Sequence, residues 1–442
     1  MKSWNRRELL FSAAALQTSA RLHAQGKRPI SGRPVRVGFI GIGSRGTGLL
    51  RTTLRLPDVV VPAVCDINET AAARAVSMVE KAGQPKPQLY GASGGVEDWR
   101  RLVERDDLDA VINAGPWQLH APMSVATMRA GKYAATEVPA AVSVEQCWDM
   151  VNASEQTGMP CMILENVCYF RNALLILNMI RKGLFGELIH CEGGYQHDVR
   201  GAFLSRGGER GPAGEITWRG LHAAQKDGNL YPTHPLGPIA WWLDINRGDR
   251  FTHLTSMSSK SRGMAHYARK NFGADHPNAL RKYALGDVNV TLLKTALGAT
   301  VTLYHDTVSP RPYDLILRVQ GTEGIYMGTL DKFYFDGRSP KKDQWEAPEA
   351  YYQEYEHPLW RDLGPSASGQ GHGGADYIEL HQFLKAVRNR TETPIDVYDT
   401  AVWSSIYPLS VQSVAAGSQP VEVPDFTRGK WKTRRPVEIT GA

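Results

Sequence analysis

The sequence predicts an α/β protein in two parts: a front half built on a parallel sheet, and an α+β back half carrying a large, mainly antiparallel sheet. Three observations carry that expectation. Short β-branched runs alternate with helical stretches through residues 35–165, a glycine-rich turn directly follows the first run, and strand-like runs recur after residue 188. A chain of 442 residues, 42% hydrophobic and 22% charged, suits about two to three domains at roughly 150 residues each. No apolar run reaches the roughly 18 residues of a membrane span, so no membrane insertion is expected. The formal charge of +6 is accounted for by Lys2, Arg6, Arg7 and Arg21 against Glu8, and by Lys27, Arg28 and Arg33. From Pro34 onward the chain is formally neutral, which argues against nucleic-acid partners and for a neutral small-molecule ligand.

Taken in order, residues 1–24 place Arg6-Arg7 ahead of a mild apolar stretch to Ala20, with Ala24 a plausible cleavage point, the pattern of a twin-arginine export signal; a basic amphipathic N-terminal helix is the competing view. A periplasmic or secreted location is the expectation. Residues 25–34 form a Gly/Pro/Arg linker. The run 35–40 suits a buried parallel strand and feeds Gly41-Ile42-Gly43-Ser44-Arg45-Gly46, then a helix over 47–56 and a strand over 59–64. That strand leads to Asp66, placed to bind a ribose hydroxyl. Gly41, Gly43 and Gly46 permit a tight turn and close approach of a pyrophosphate to the helix start, so a Rossmann domain binding NAD is predicted, with Asp66 favouring NAD over NADP. Asn68 caps a helix to Lys81, and a strand at 109–113 precedes a loop at 114–120. A helix to Ala130, a strand at 133–136, a helix from Ser143 to Thr157 and a strand at 161–164 complete the domain, taken as 35–165. The rest, 166–425, is read as the substrate and oligomerisation domain, with 426–442 as a tail and a homo-oligomer expected. It has a helix at 171–182, strands at 188–196, 251–256, 288–293, 300–305 and 315–320, and few helices until 376–390 and 400–416. The five cysteines have no metal-ligand spacing and read as buried thiols, so no metal is expected.

By Glu137-Val138-Pro139 the order of elements resembles the glucose–fructose oxidoreductase / inositol dehydrogenase family, whose members carry Glu-Lys-Pro here. Val138 can neither transfer a proton nor donate a hydrogen bond, which makes an ordinary alcohol dehydrogenase less expected. The Glu-Val-Pro branch that the whole chain is similar to is glycoside hydrolase family 109, the NAD-dependent N-acetylgalactosaminidases. The matching stretches are Gly228-Asn229-Leu230-Tyr231-Pro232-Thr233-His234 with Leu236-Gly237-Pro238, Leu164-Glu165-Asn166, Trp218-Arg219, Ser309-Pro310-Arg311-Pro312-Tyr313 and Gly371-His372-Gly373-Gly374-Ala375-Asp376-Tyr377. The chain departs from that family at Gln118-Leu119 (usually Glu-Trp), Pro235 (usually Gly) and Phe170 (usually an acid).

The resemblance implies that NAD is held by Ser44, Arg45, Asp66, Trp117, Gln118, Leu119, His120, Glu137, Val138, Asn166 and Tyr231. It implies a sugar held by Tyr195, Arg219, Tyr231, Pro232, Thr233, His234 and Tyr313, with His234, Tyr231 and Tyr195 catalytic. The implied cycle is oxidation at C3, loss of the C2 proton, elimination of the aglycone, water addition and re-reduction, with no net redox change. Such a cycle needs groups that exchange protons near neutrality, and His234 is the best candidate base. A histidine packed at a sheet edge is the competing view of His234, and a solvated surface arginine that of Arg219. His120 reads equally as a helix-start contact to the cofactor or an acid, and His372 with Asp376 as a helix-entry cap. A sugar oxidoreductase with net redox turnover is the second functional reading, and a non-catalytic sugar- or NAD-binding protein the third.

Overall fold

The computed structural model describes residues 29–91 and 93–439, so the export-signal reading of residues 1–24 lies outside the described residues. The first domain runs β1 (Val35–Ile40), α1 (Ser44–Thr53), β2 (Val59–Asp66), α2 (Glu69–Lys81), β3 (Gln88–Gly91), α3 (Trp99–Val103), β4 (Ala110–Asn113), α4 (Trp117–Arg129), β5 (Tyr133–Thr136), α5 (Val144–Thr157) and β6 (Cys161–Ile163). Its six strands are all parallel in the order β3-β2-β1-β4-β5-β6, the doubly wound arrangement of a Rossmann domain. β-branched runs fill both faces of such a sheet with apolar side chains, and β1 and β4 are almost wholly buried. Asn68 and Ser143 cap α2 and α5 as the sequence predicts, accepting from Ala71 N and Gln146 N.

The second domain adds α6 (Arg171–Arg181), β7 (Leu188–Gln196), α7 (Arg200–Phe203), α8 (Trp218–Gln225), α9 (Thr233–Trp242), β8 (Phe251–Ser258), α10 (Gly263–Phe272), α11 (Pro277–Leu280), β9 (Asn289–Thr295) and β10 (Thr300–Asp306). There follow β11 (Arg318–Gly321), β12 (Gly324–Met327), β13 (Lys332–Phe335), α12 (Glu349–Tyr355), α13 (Pro358–Ala367), α14 (Ala375–Asn389), α15 (Val397–Ala415) and β14 (Val421–Glu422). The eight strands pair in the order β13-β12-β11-β7-β10-β9-β8-β14, antiparallel throughout except for β7 with β10.

Four expectations need correction. Helices are not sparse between residues 200 and 370: α7 to α13 lie there, broken into short pieces that carry Gly and Pro. The glycine turn is tighter than expected, α1 starting at Ser44 rather than 47, and Trp117 to His120 form the first turn of α4 rather than a loop. The strand expected at 315–320 begins at Arg318, because Ile316 and Leu317 adopt left-handed backbone (φ 63° and 44°).

The two domains are joined by the end of the chain. The 19-residue α15 is apolar nearly all round, and it is buried between the two sheets. Its hydroxyls serve both sides: Thr400 Oγ1 accepts from Ile163 N (3.0 Å) and Ser404 Oγ from Ala140 N (3.1 Å) in the first domain, Ser413 Oγ from Ser256 N (2.9 Å) in the second. α14 likewise reaches the first domain, Arg390 pairing with Asp109 (2.9 Å) and Arg388 O accepting from Ile30 N (2.8 Å). Among the described residues no helix is long and apolar enough to cross a membrane.

Candidate active site

The glycine turn between β1 and α1 has the shape a dinucleotide needs. Gly41 sits at φ +81°, where an added Cβ would lie 2.7 Å from Ala114 backbone, and a Cβ on Gly46 would lie 1.9 Å from Gly41 O. Gly43 faces open space and caps α1 without a side-chain hydrogen bond, so the N–H groups of the first turn remain available to an anion. Asp66 buttresses this turn, accepting from Ile42 N (2.5 Å) and Asn68 N (2.8 Å), which uses two of a carboxylate's roughly four acceptor positions and leaves room for a hydroxyl. Arg74 steadies it from outside, donating to Ile42 O (2.9 Å) and pairing with Glu209 (2.6 Å) of the second domain.

Beside the turn lies a knot of charge. Arg45, expected to contact NAD directly, places Nε 2.6 Å from Glu137 and Nη1 2.6 Å from Asp376, so its guanidinium ties α1 to the β5 end and to α14. Asn166 Nδ2 donates to the same Asp376 (2.8 Å), while Asn166 Oδ1 is buried without a partner. That orphaned acceptor, with the open glycine cradle, is what a cofactor carrying a phosphate and an amide would satisfy. NAD therefore fits the residues present, with Ser44, Glu137, Asn166 and Tyr231 grouped around the same region. Burial alone would raise the Asp376 pKa, but the His372 hydrogen bond and the Arg45 charge hold it well below the usual carboxylate range. The helix-cap reading of His372 and Asp376 fails: Gly374 occupies the cap position, and Asp376 reaches across to Arg45 while His372 Nδ1 lies 3.0 Å from it. His120 is corrected too. Its ring is fully buried with Nδ1 2.7 Å from Pro139 O and Nε2 2.7 Å from Gly115 O, so both ring nitrogens are engaged in bracing the cis Val138–Pro139 turn rather than free for acid chemistry. Val138 is buried, Leu119 half-buried, and Gln118 points to solvent.

Facing the knot is an aromatic cup. Tyr231, Pro232, Thr233 and His234 enter α9, so His234 stands in the first helical turn rather than at a sheet edge. Its Nδ1 lies 2.7 Å from Oε1 of Glu165, a carboxylate with no exposed surface. Gly237, one turn further along α9, makes that approach possible: a Cβ there would sit 2.7 Å from Glu165 Cγ. Tyr195, on β7, packs 4.5 Å from the Tyr231 ring and 5.3 Å from the His234 ring (centroids). Arg219 is not a solvated arginine, since its guanidinium lies over the rings of Trp117 (4.9 Å) and Tyr231 (4.6 Å) with Nε unpartnered and buried. Tyr313 closes the exposed side, 6.2 Å from Tyr195, and Thr233 Oγ1 is a further buried hydroxyl without a partner. Burial pushes the Tyr195 and Tyr231 hydroxyls up, so both are protonated at neutral pH.

Sequence reasoning missed three participants. Glu165, whose place in Leu164-Glu165-Asn166 gives no hint of a role, orients His234. His197 places Nδ1 3.2 Å from the Tyr195 hydroxyl, a contact signalled only by i, i+2 spacing at the end of a strand. His222 lies against Trp117 (5.1 Å) and bonds the Tyr407 hydroxyl (2.8 Å), its pKa lowered to about 4 by burial, Lys226 and Arg219. Among the described residues no cluster has the makings of a metal site.

A Rossmann turn opposite a cup of aromatic rings, an arginine and an oriented histidine defines a dinucleotide-dependent enzyme that handles a hydroxylated substrate. Residues 35–164 match the family model of the NAD-binding Rossmann fold oxidoreductases, and residues 169–433 that of the glycosyl hydrolase 109 C-terminal domain. The chain belongs to glycosyl hydrolase family 109. A family 109 protein of Stenotrophomonas maltophilia is 43% identical over 99% of this chain and 98% of its own length. An alpha-N-acetylgalactosaminidase of Tannerella forsythia is 42% identical over 94% and 91%, and one of Shewanella oneidensis 42% over 92% and 88%. Among solved structures, levoglucosan dehydrogenase in complex with NADH and levoglucosan superposes with a TM-score of 0.66 at 22% identity, covering 89% of this chain and all of that one. The WlbA dehydrogenase of Bordetella pertussis in complex with NADH and UDP-GlcNAcA gives 0.63 at 16%, over 90% and 99%. These two likenesses establish the fold.

Proposed function

We propose that this enzyme is an NAD-dependent glycosidase that releases terminal α-linked N-acetylgalactosamine. The observation that carries the reading is the His234–Glu165 couple (2.7 Å) set in an aromatic cup against an NAD-binding domain whose Glu-Val-Pro turn offers no proton-transferring lysine. The names borne by the family 109 relatives support the sugar. Two exposed carboxylates flanking a bond, as most glycosidases use, are not what this cup presents: Glu165 is fully buried and bound to His234. NAD, when bound, supplies reversible oxidation at the sugar C3, which acidifies the neighbouring C2 proton. His234 takes that proton, with Glu165 holding the ring and stabilising its charged form. Arg219, Tyr231 and Tyr313 orient the sugar hydroxyls, and the surrounding rings keep bulk water from the cup.

Chromogenic α- and β-glycosides assayed without added NAD test this reading. Release of the chromophore from the α-N-acetylgalactosaminide, without accumulation of NADH and with solvent deuterium entering C2, is expected. Steady formation of ketosugar or NADH would overturn it in favour of a sugar oxidoreductase. His234→Ala should lower kcat by about 10²- to 10⁴-fold with NAD still bound.

The paired Arg6-Arg7 supports export of the enzyme to the periplasm or beyond by the twin-arginine route. Cell fractionation of wild type and of an Arg6→Lys, Arg7→Lys double variant checks this, retention in the cytoplasm being expected of the variant. The exposed Leu292 and Met257, on neighbouring strands β9 and β8, support self-association into a homo-oligomer, measured by light scattering on the purified protein.

A further inference from the structure

Elimination of an aglycone moves two protons: one leaves C2, and one must reach the departing oxygen. The His234–Glu165 couple accounts for the first. A second couple stands in the same cup. Tyr195, near the end of β7, and His197, one residue past that end, lie on the same side, as residues two apart in extended chain do. The His197 ring lies 5.7 Å from the Tyr195 ring and 4.9 Å from that of Tyr313, and its Nδ1 is 3.2 Å from the Tyr195 hydroxyl. His197 N donates to Asp306 O (2.8 Å), which fixes the backbone that carries the ring. Tyr195 is thus placed between the two histidines, its ring 5.3 Å from that of His234.

We infer that His197 is a positioning residue for aglycone departure: its Nδ1–H donates to the Tyr195 oxygen and lets Tyr195 act as the acid that protonates the leaving group. The inference rests on the glycosidase reading. In the elimination, His234 takes the C2 proton, the C2–H electron pair becomes the C1=C2 double bond, and the C1–O pair leaves with the aglycone oxygen. That oxygen takes the Tyr195 proton. In the hydration, water adds its oxygen to C1 and yields a proton to the Tyr195 phenolate, while His234 returns its own proton to C2. Protons and electron pairs balance over the two halves, and His197 keeps its proton throughout. A neutral His197 suits that part. Burial first, then the Arg219 charge and His234, lower its pKa, against Asp198. Arg219 also acts on Tyr195 in the sense that favours its phenolate, opposing the burial that raises it. The same pair of roles for one group, acid and then base, is what retaining glycosidases obtain from a carboxyl group.

The test compares two aglycones on the full-length NAD-loaded enzyme, p-nitrophenol, which leaves without protonation, and a simple alkyl alcohol, which does not. His197→Ala should keep its p-nitrophenyl rate within a few fold of wild type and lose about 10²-fold or more on the alkyl glycoside. His197→Asn, whose amide can donate from nearly the place of Nδ1, should recover most of that loss. Equal loss on both aglycones, or an Asn variant no better than Ala, would overturn the inference. If wild type cleaves neither glycoside, it is the glycosidase reading itself that fails. NAD content and the thermal unfolding midpoint of His197→Ala are expected to match wild type. A fall in either accompanied by a uniform rate loss would instead assign His197 a purely structural part.

Discussion

Two arginines in this molecule, Arg247 buried and Arg45 half-buried, each hold two carboxylates, and they differ in what is left over. Arg247 binds both oxygens of Asp399 (2.8 and 2.7 Å) and one of Asp396 (2.9 Å). Asn246 and Arg434 fill further positions on the same acids, and Asp396 caps α15 through Tyr398 N and Asp399 N. Arg45 binds Glu137 and Asp376 just as closely, yet the atoms around it are not all served. Asn166 Oδ1, Glu165 Oε2 and both oxygens of Glu379, one turn beyond Asp376 on α14, are buried without partners. A closed network fixes a helix end. A network with free valences beside a glycine cradle awaits something else, whether cofactor, substrate or ordered water.

The largest expected effect would break the comparison at its structural end. Arg247→Met takes from the wholly buried Asp399 its only cation among the described residues, Arg434 reaching Asp396 alone, and should cost about 3–5 kcal/mol, read from denaturant unfolding of the NAD-loaded protein. Arg45→Met should cost less, about 1–3 kcal/mol, because Asn166 and His372 still bond Asp376. Its mark should be a loss of NAD during gel filtration, which Arg247→Met at a permissive temperature should not show. Equal NAD loss in both variants would erase the distinction between the two knots. The Arg45 site also carries an acid sensitivity. Asp376 titrates below its unfolded value, so its contribution is present at neutral pH and disappears as pH falls through the carboxylate range into its folded value. The smallest effect concerns Glu379, whose pKa is raised by burial first and then by Asp376, Glu137 and Glu165 against the Arg45 charge. A raised acid costs stability as pH rises from the unfolded glutamate value toward the folded one. Glu379→Gln should therefore be slightly more stable than wild type at neutral pH, the gain vanishing near pH ~4, where an unfolded glutamate takes up its proton.

Most of the first domain was legible because each strand is a short β-branched run bounded by a helix signal, and Asn68 and Ser143 cap where their chemistry says. β3 and α3 were not. β3 (Gln88–Gly91) is a four-residue edge strand with two exposed residues, and α3 (Trp99–Val103) has five residues, too few for a period to show. Helix α9 was hidden by Pro235 and Pro238. Pro235 costs nothing there, since the N–H groups of a first turn have no partner within the helix. In the site, Tyr231, His234 and Tyr195 could be read from motifs, but what sets their chemistry could not. Glu165 is 69 residues from His234 and meets it only because α9 and the end of β6 are packed together through Gly237. Arg45 fell to the same difficulty, its partner Asp376 lying 331 residues away.

That last separation has a meaning in time. A ribosome delivers the glycine turn early and Asp376, Arg388, Thr400 and Ser404 late, so β1 to β6 emerge long before the residues that complete their surroundings. Until then Ile163 N, Ala140 N and Ile30 N lack the acceptors they have in the finished molecule. The nascent first domain is an unfinished vessel until the last quarter of the chain folds back over it and sets Asp376 against Arg45. A chain cut short in synthesis therefore lacks the carboxylate that clasps Arg45, and the cofactor side of the molecule is the last part to be finished.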